Sequence, residues 1–70
     1  MSGHVYKLIE LAGSSPKSYE DAIEGAIAKL GEEANELRWF EVREMRGHID
    51  KGKVAHYQVV LRVGYEGYRP

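Results

Sequence analysis

The chain has 70 residues, no cysteine and a formal net charge of −1, which fits one domain, residues 1–70, without disulfides. The near-neutral charge lacks the basic excess of a nucleic-acid-binding domain, and no apolar run approaches the roughly 20 residues of a membrane span. So small a domain usually needs a disulfide, a metal or a partner chain for stability, and we expect self-association here. The lack of cysteine and of a recognisable signal peptide favours a cytoplasmic protein.

The first predicted element is a strand over residues 4–12, which is rich in β-branched, leucine and tyrosine side chains. Apolar residues occur on both of its alternating faces, so we expect both faces to be partly covered. The composition of Gly13-Ser14-Ser15-Pro16 then predicts a turn.

A helix is predicted over residues 19–37. Ser18 is a suitable N-cap, and Asp21 stands where its side chain would complete a capping box. Apolar residues recur every three or four positions and predict one buried stripe: Tyr19, Ala22, Ile23, Ala26, Ile27, Leu30, Ala34 and Leu37.

Two more strands are predicted over residues 38–49 and 54–65. Between them, Asp50-Lys51-Gly52-Lys53 predicts a hairpin turn in which Gly52 takes a positive φ. The third strand alternates clearly and should place Tyr57, Val59, Leu61 and Val63 under the helix. We expect the glycine-rich tail, residues 64–70, to fray or to dock on a neighbour.

The order β-α-β-β predicts an α+β domain with a three-stranded antiparallel sheet, the third strand central and the helix packed across one face. Neighbouring residues of a strand point to opposite faces, so Phe40 and Val42 should enter the core while Trp39 stands on the bare face. A covered Trp buries roughly 200 Å². An indole on a bare sheet face therefore indicates a binding surface or a subunit interface.

Residues 38–63 carry the most specific motifs: WFEV, then MRGHI, then HYQV. Together with VYKLIEL, GSSP and GKVAHYQVVLRVGY, they make the chain resemble the dodecins, small β-α-β-β proteins that bind flavins. The resemblance implies a hollow homododecamer that binds pairs of flavins at subunit contacts on the sheet side. It also implies flavin storage, buffering and photoprotection rather than enzymatic activity.

The resemblance also implies the roles of individual residues. Trp39 of the WFEV motif would stack on the isoalloxazine ring, Gln58 of YQV would hydrogen-bond its polar edge, and Arg46 of RGH would contact the flavin tail or phosphate. His56 shares a face with Gln58 and is a candidate for the edge of the site. The expected ligand is FMN or riboflavin. Some bacterial members bind coenzyme A, but Glu66 stands where the family commonly has a basic residue.

The position of Arg46 conflicts with simple strand alternation. Counted from Phe40, residue 46 falls on the helix side of the sheet. We therefore predict a β-bulge between Arg43 and Met45, which would turn Met45 inward and Arg46 outward. A salt bridge from Arg46 to Glu41 or Glu44 is the purely structural alternative.

Several alternatives remain open at this point. Trp39 could serve an interface without a ligand, and Gln58 could be an ordinary solvated residue, which together describe a scaffold without a physiological flavin. An enzyme is disfavoured because no nucleophile–base pattern is visible, although Glu41 and Glu44 could pair.

A metal site built from His4, His48 and His56 is also disfavoured. No pair of these histidines has the spacing that a helix or a tight turn would need to bring two ligands together.

Overall fold

The computed structural model describes residues 5–66. It contains β1 (Lys7–Ser15), α1 (Tyr19–Leu30), β2 (Leu37–Asp50) and β3 (Lys53–Tyr65). The three described strands form an antiparallel sheet in the order β1-β3-β2. The predicted fold class, element order and central third strand are therefore confirmed.

The first strand continues further than predicted. Gly13, Ser14 and Ser15 were expected in a turn, but they pair with β3 as the end of β1. Ser15 is buried, donates a hydrogen bond to the Asp21 carboxylate (2.7 Å) and accepts one from the Lys17 backbone N–H (2.9 Å). The predicted turn is thus confined to the residues between Ser15 and the helix. His4, the first residue of the predicted strand, lies outside the described residues.

The helix begins as predicted but ends much earlier. Ser18 Oγ accepts a hydrogen bond from the Asp21 N–H (3.0 Å), while the Asp21 carboxylate binds Ser15, so only half of the predicted capping box forms. The helix ends at Leu30 and not at residue 37. Glu36 takes a left-handed conformation (φ 56°), and Leu37 already pairs with β3, so the chain cannot remain helical there.

The core lies between α1 and the helix side of β3. Ala22, Ala26 and Leu30 pack on Val59, Leu61 and Val63, and all six are buried as the apolar stripe and the strand alternation predict. The two alanines allow the helix to lie close to the sheet. Ala34 and Leu37 still pack against this core although both lie outside the helix.

A long hairpin joins β2 and β3. Lys51 (φ 53°) and Gly52 (φ 77°) form its two-residue loop between the paired Asp50 and Lys53, which fits a type I′ turn and confirms the positive φ predicted for Gly52. β1 pairs only with the segment of β3 from Tyr57 onward. The hairpin tip therefore projects beyond β1, and the molecule is 57 Å long.

The predicted bulge is present in β2. The pairing advances from Val42 opposite Leu61 to Glu44 opposite Val60, which leaves Arg43 as the extra residue. Met45 consequently lies opposite buried Val59 on the helix side, and Arg46 turns to the other face, as predicted.

Phe40 and Val42 depart from the prediction in their burial. They stand opposite buried Val63 and Leu61, so they point to the helix side as expected. They nevertheless remain 45% and 39% exposed because α1 packs chiefly over β1 and β3. The expectation that both belong to the core is therefore wrong for a single chain.

The predicted loose tail is only partly described. Gly64 and Tyr65 belong to β3, and Glu66 forms an ion pair with Arg38 (2.6 Å), while residues 67–70 lie outside the described residues. No helix within residues 5–66 has the length and apolar character needed to cross a membrane.

Candidate functional site

The candidate site lies on the sheet face opposite α1, which we call the open face. Strand pairing and the alternation from buried Val59, Leu61 and Val63 define its members on the β2–β3 hairpin. They are Trp39, Glu41, Glu44, Arg46 and His48 of β2, and His56, Gln58, Val60, Arg62 and Gly64 of β3. All four residues proposed from the sequence therefore share one face.

Trp39 is held against the sheet at one end of the open face. Its Cη2, Cζ2 and Cζ3 atoms occupy the space where a Cβ on Gly64 would stand, so only glycine accommodates the indole there. The Tyr6 ring meets the indole edge-on, with centroids 5.0 Å apart and planes at 79°. Trp39 still remains 43% exposed. It forms an aromatic platform of fixed orientation with surface left for another ring.

Gly64 and Tyr6 are site residues that the sequence analysis did not identify. Gly64 is a glycine in the interior of a strand, which is a known sign of close approach by another group. Tyr6 immediately precedes β1 and has the same parity as Leu8, which lies opposite Gly64, but nothing in the sequence alone pairs Tyr6 with Trp39.

Arg46 and Gln58 form the polar part of the open face. They are directly opposed across the two strands, and Arg46 Nε donates to Gln58 Oε1 (3.3 Å). Arg46 Nη1 also lies 3.6 Å from Glu44 Oε1, so the structural alternative of a salt bridge is realised together with the outward position. The side-chain amide nitrogen of Gln58 makes no hydrogen bond within residues 5–66, which leaves this donor for a ligand.

The helix supports the strand segment that carries Arg46. The Tyr19 hydroxyl donates to the backbone carbonyl of Arg46 (3.2 Å), and the Tyr19 ring meets Tyr57 edge-on with centroids 5.1 Å apart. The start of α1 is thereby tied to both strands of the hairpin just beyond the bulge.

His56 lies further toward the hairpin tip on the same face. It is paired with His48, and their ring centroids are 6.5 Å apart. It lies two residues from Gln58 on the same face, and its role at the edge of a site stays a prediction. The sequence analysis did not pair His56 with His48, because the two residues become neighbours only through the register of the hairpin.

One chain does not bring Trp39 and Gln58 together. Trp39 lies opposite Gly64, six residues along β3 from Gln58, which at the usual strand rise is about 20 Å. A pocket of about 140 Å³ lies near Trp39, lined by Ile27, Leu37, Arg38, Phe40 and Val63. Cavities that enclose small-molecule ligands measure about 300–1,000 Å³, so this one is too small for a tricyclic cofactor.

Comparison with known proteins agrees with this fold. The dodecin family model matches residues 5–67. The chain belongs to the dodecin family. A dodecin from Thermus thermophilus is 48% identical over 63 residues, which cover 90% of this chain and 91% of that protein. The structure of a dodecin from Streptomyces coelicolor has a TM-score of 0.92 at 37% identity, with both chains covered completely.

A more distant relative is named for calcium. It is the calcium dodecin of Mycobacterium tuberculosis, 29% identical over 62 residues, which cover 89% of this chain and 87% of that protein. The family membership expected from WFEV, MRGHI and HYQV is thus confirmed.

Within this dodecin-family chain, Glu66 has a local partner. Its carboxylate accepts a hydrogen bond from Arg38 Nε at 2.6 Å, and Glu36 lies 3.5 Å from the same guanidinium. The hydrogen bond and charge of Glu66 raise the pKa of Arg38. Arg38 adjoins Trp39 in the sequence. Glu66, which stands where a basic residue was expected, therefore neutralises a cation beside the indole.

Proposed function

We propose that this dodecin-family protein binds and stores a flavin, FMN or riboflavin, at contacts between the subunits of a homododecamer. The observation that carries the proposal is the half-exposed indole of Trp39, fixed over Gly64 and against Tyr6 on the open face. A flat tricyclic ligand gains offset stacking from such a platform without the cost of ordering the indole first.

Stacking would also explain a photoprotective role. An indole in van der Waals contact with an excited flavin can transfer an electron to it rapidly and return it to the ground state. The excited flavin then has little time to react with its surroundings. The proposal therefore links storage to quenched fluorescence of the bound ligand.

The polar part of the open face matches the other end of a flavin. The pyrimidine edge of isoalloxazine offers an adjacent carbonyl and N–H, and the Gln58 amide has one donor and one acceptor group. Arg46, 56% exposed at its side chain, can direct its guanidinium to a ribityl oxygen or a phosphate while it holds Gln58 in place.

The distance between these two parts requires a second subunit. In a two-fold contact the same surface of each chain meets the other in the opposite direction, so Trp39 of one subunit can lie beside Gln58 of the partner subunit. Each contact would then hold two equivalent flavins. Flavin affinity should accordingly depend on assembly.

Exposed apolar side chains support the assembly itself. Phe40, Val42 and Met45 on the helix side of β2 are 39–54% exposed, in a chain whose buried core consists of six hydrophobic residues within the described part. An apolar strip of this kind on a small domain favours burial against further copies.

Binding is favoured over catalysis for a physical reason. A flavin stacked on Trp39 and on a second ring has no free face for a substrate.

A scaffold that binds coenzyme A instead of flavin is the alternative, and the ion pair of Glu66 with Arg38 removes a free cation that a phosphate would use.

The test is a fluorescence titration of FMN, and separately of riboflavin, with ligand-stripped protein. We expect strong saturable quenching, with one flavin per chain. Parallel titrations with coenzyme A and with calcium, followed by thermal shift, examine other ligands. Absence of quenching while the protein remains assembled on size-exclusion chromatography would overturn the flavin proposal.

A further inference from the structure

His48 and His56 form an opposed pair of imidazoles near the tip of the hairpin. They are direct partners in the β2–β3 ladder, so their side chains rise from the same face with Cβ atoms about 4.5–5.5 Å apart. Their ring centroids are 6.5 Å apart, with planes at 49°. Both residues are exposed.

The backbone fixes this pair before any ligand binds. The two-residue loop Lys51-Gly52 and the extra residue Ala55 of β3 together set the register, and the ladder from Glu44 opposite Val60 to His48 opposite His56 is continuous. The next step, from His48 to Ile49, contains a register shift, so the pair stands at the end of a regular segment. Only side-chain rotation is needed to bring the two rings to one ion.

The imidazoles also have no competing partner in the described part of the chain. Neither His48 nor His56 makes an ion pair or a side-chain hydrogen bond there. Neutral imidazole nitrogen is a preferred ligand of Zn²⁺, Ni²⁺ and Cu²⁺, with Zn–N distances of about 2.0–2.1 Å. Two ring nitrogens on the same face of a fixed ladder supply two such ligands at once.

We propose that His48 and His56 together bind a divalent transition-metal ion, with Zn²⁺ as the reference ion. Residues 5–66 contain no group of three or more His, Cys, Asp or Glu placed to hold a metal, so the pair fills two coordination positions and water fills the others. Such a site selects ions that accept nitrogen ligands over Ca²⁺, which prefers six to eight oxygen ligands. This site does not depend on flavin binding.

The helical and turn spacings considered in the sequence do not describe this site. Residues 48 and 56 are eight apart, which no single helix or tight turn makes adjacent. The β2–β3 hairpin makes them adjacent, because its two-residue loop and the extra residue Ala55 of β3 together place His56 opposite His48. This pair therefore needs neither helical nor tight-turn spacing to bring its two imidazoles together.

The experiment is calorimetric titration of Zn²⁺ into chelator-treated, flavin-free protein, with thermal shift as a second readout. We expect saturable binding of one Zn²⁺ per chain and a rise in Tm, since a ligand of the folded state stabilises it. Ca²⁺ should produce neither effect at this pair.

The variants H48A and H56A should each weaken Zn²⁺ binding at least about tenfold, because loss of one ligand removes the chelate. The double variant should bind Zn²⁺ no more tightly than either single variant. H4A, which removes the remaining histidine, is the matched control and should bind as the wild type does. All three positions are tested in protein whose circular dichroism and assembly match the wild type.

Two outcomes would overturn the proposal: no saturable Zn²⁺ binding by the wild-type protein, or equal loss in H4A and in the paired variants. If H48A or H56A fails to assemble, H48N and H56N take its place, and retention of wild-type affinity by both would equally refute the site.

Discussion

The six-membered ring of Trp39 fills the space above Gly64 on the adjacent strand, where any Cβ would collide with it. This contact is intramolecular and needs no assembly. It fixes the direction of the chain's single Trp before a ligand or a partner subunit arrives.

Replacing Gly64 with Ala should displace the indole. Overpacking of this kind costs about 1–3 kcal/mol, and the displaced ring would no longer present its stacking surface. We expect weaker FMN quenching and a shifted Trp39 emission spectrum. The matched control is Gly25→Ala, since a Cβ at Gly25 meets nothing within 4 Å. Unchanged emission and FMN affinity in Gly64→Ala would contradict the described contact.

Trp39→Ala should abolish tight flavin binding while the oligomer remains largely intact. Truncation of a central Trp commonly costs at least about 2 kcal/mol of binding free energy. Trp39→Phe should retain part of the affinity because a smaller ring still stacks. The measurement is the FMN titration, with size-exclusion chromatography to verify assembly. Wild-type affinity in the Ala variant would exclude stacking on this residue.

Gln58→Ala should cost about 1–3 kcal/mol of flavin binding, which is the penalty for leaving polar atoms of the ligand unpaired. It also removes the acceptor that Arg46 uses at 3.3 Å. Lys53→Ala, in the hairpin away from Gln58, is the control. Equal affinity of Gln58→Ala and the control would remove Gln58 from the site.

Met45→Lys tests the exposed strip on the helix side of β2. The residue is 54% exposed in the single chain, so the change should leave the protomer folded. A charge within an apolar subunit contact should nevertheless prevent assembly, and flavin affinity should fall with it. Light scattering measures the mass, and Glu24→Lys on the exposed helix face is the control. A full-sized oligomer in Met45→Lys would place the subunit contacts elsewhere.

The features predicted correctly from the sequence have local causes. The hairpin loop follows from Lys51-Gly52, and the side-chain faces of β3 follow from strict alternation. The bulge was found because the resemblance required Arg46 outside while the alternation from Phe40 placed it inside. Such a conflict between two local constraints can be resolved only by an extra residue.

The errors come from tertiary contacts. Ala34 and Leu37 continue the apolar spacing because they pack on the core, not because they are helical. Gly13 looked like a turn residue, but it lies in β1. Glycine is needed at this position because a Cβ would collide with the Ala22 carbonyl of the crossing helix. The pair His48–His56 likewise depends on a register that composition does not reveal.

Deleting Arg43 provides the sharpest test of the bulge. Val42 and Glu44 pair with Leu61 and Val60, which are consecutive on β3. Without Arg43, Val42 and Glu44 become consecutive as well, so every later side chain keeps its face. The salt bridge from Arg43 to Glu41 is exposed, and such pairs contribute about 0–1 kcal/mol.

We therefore expect the deletion variant to fold, to keep Arg46 opposite Gln58 and to retain FMN quenching. Deleting Val60 from β3 is the control, because β3 has no extra residue between Tyr57 and Tyr65 and one side of that strand would exchange its two faces. Circular dichroism, denaturant unfolding and FMN titration compare the two deletions. If loss of Arg43 unfolds the protein as loss of Val60 should, then Arg43 is not the extra residue that sets the outward position of Arg46.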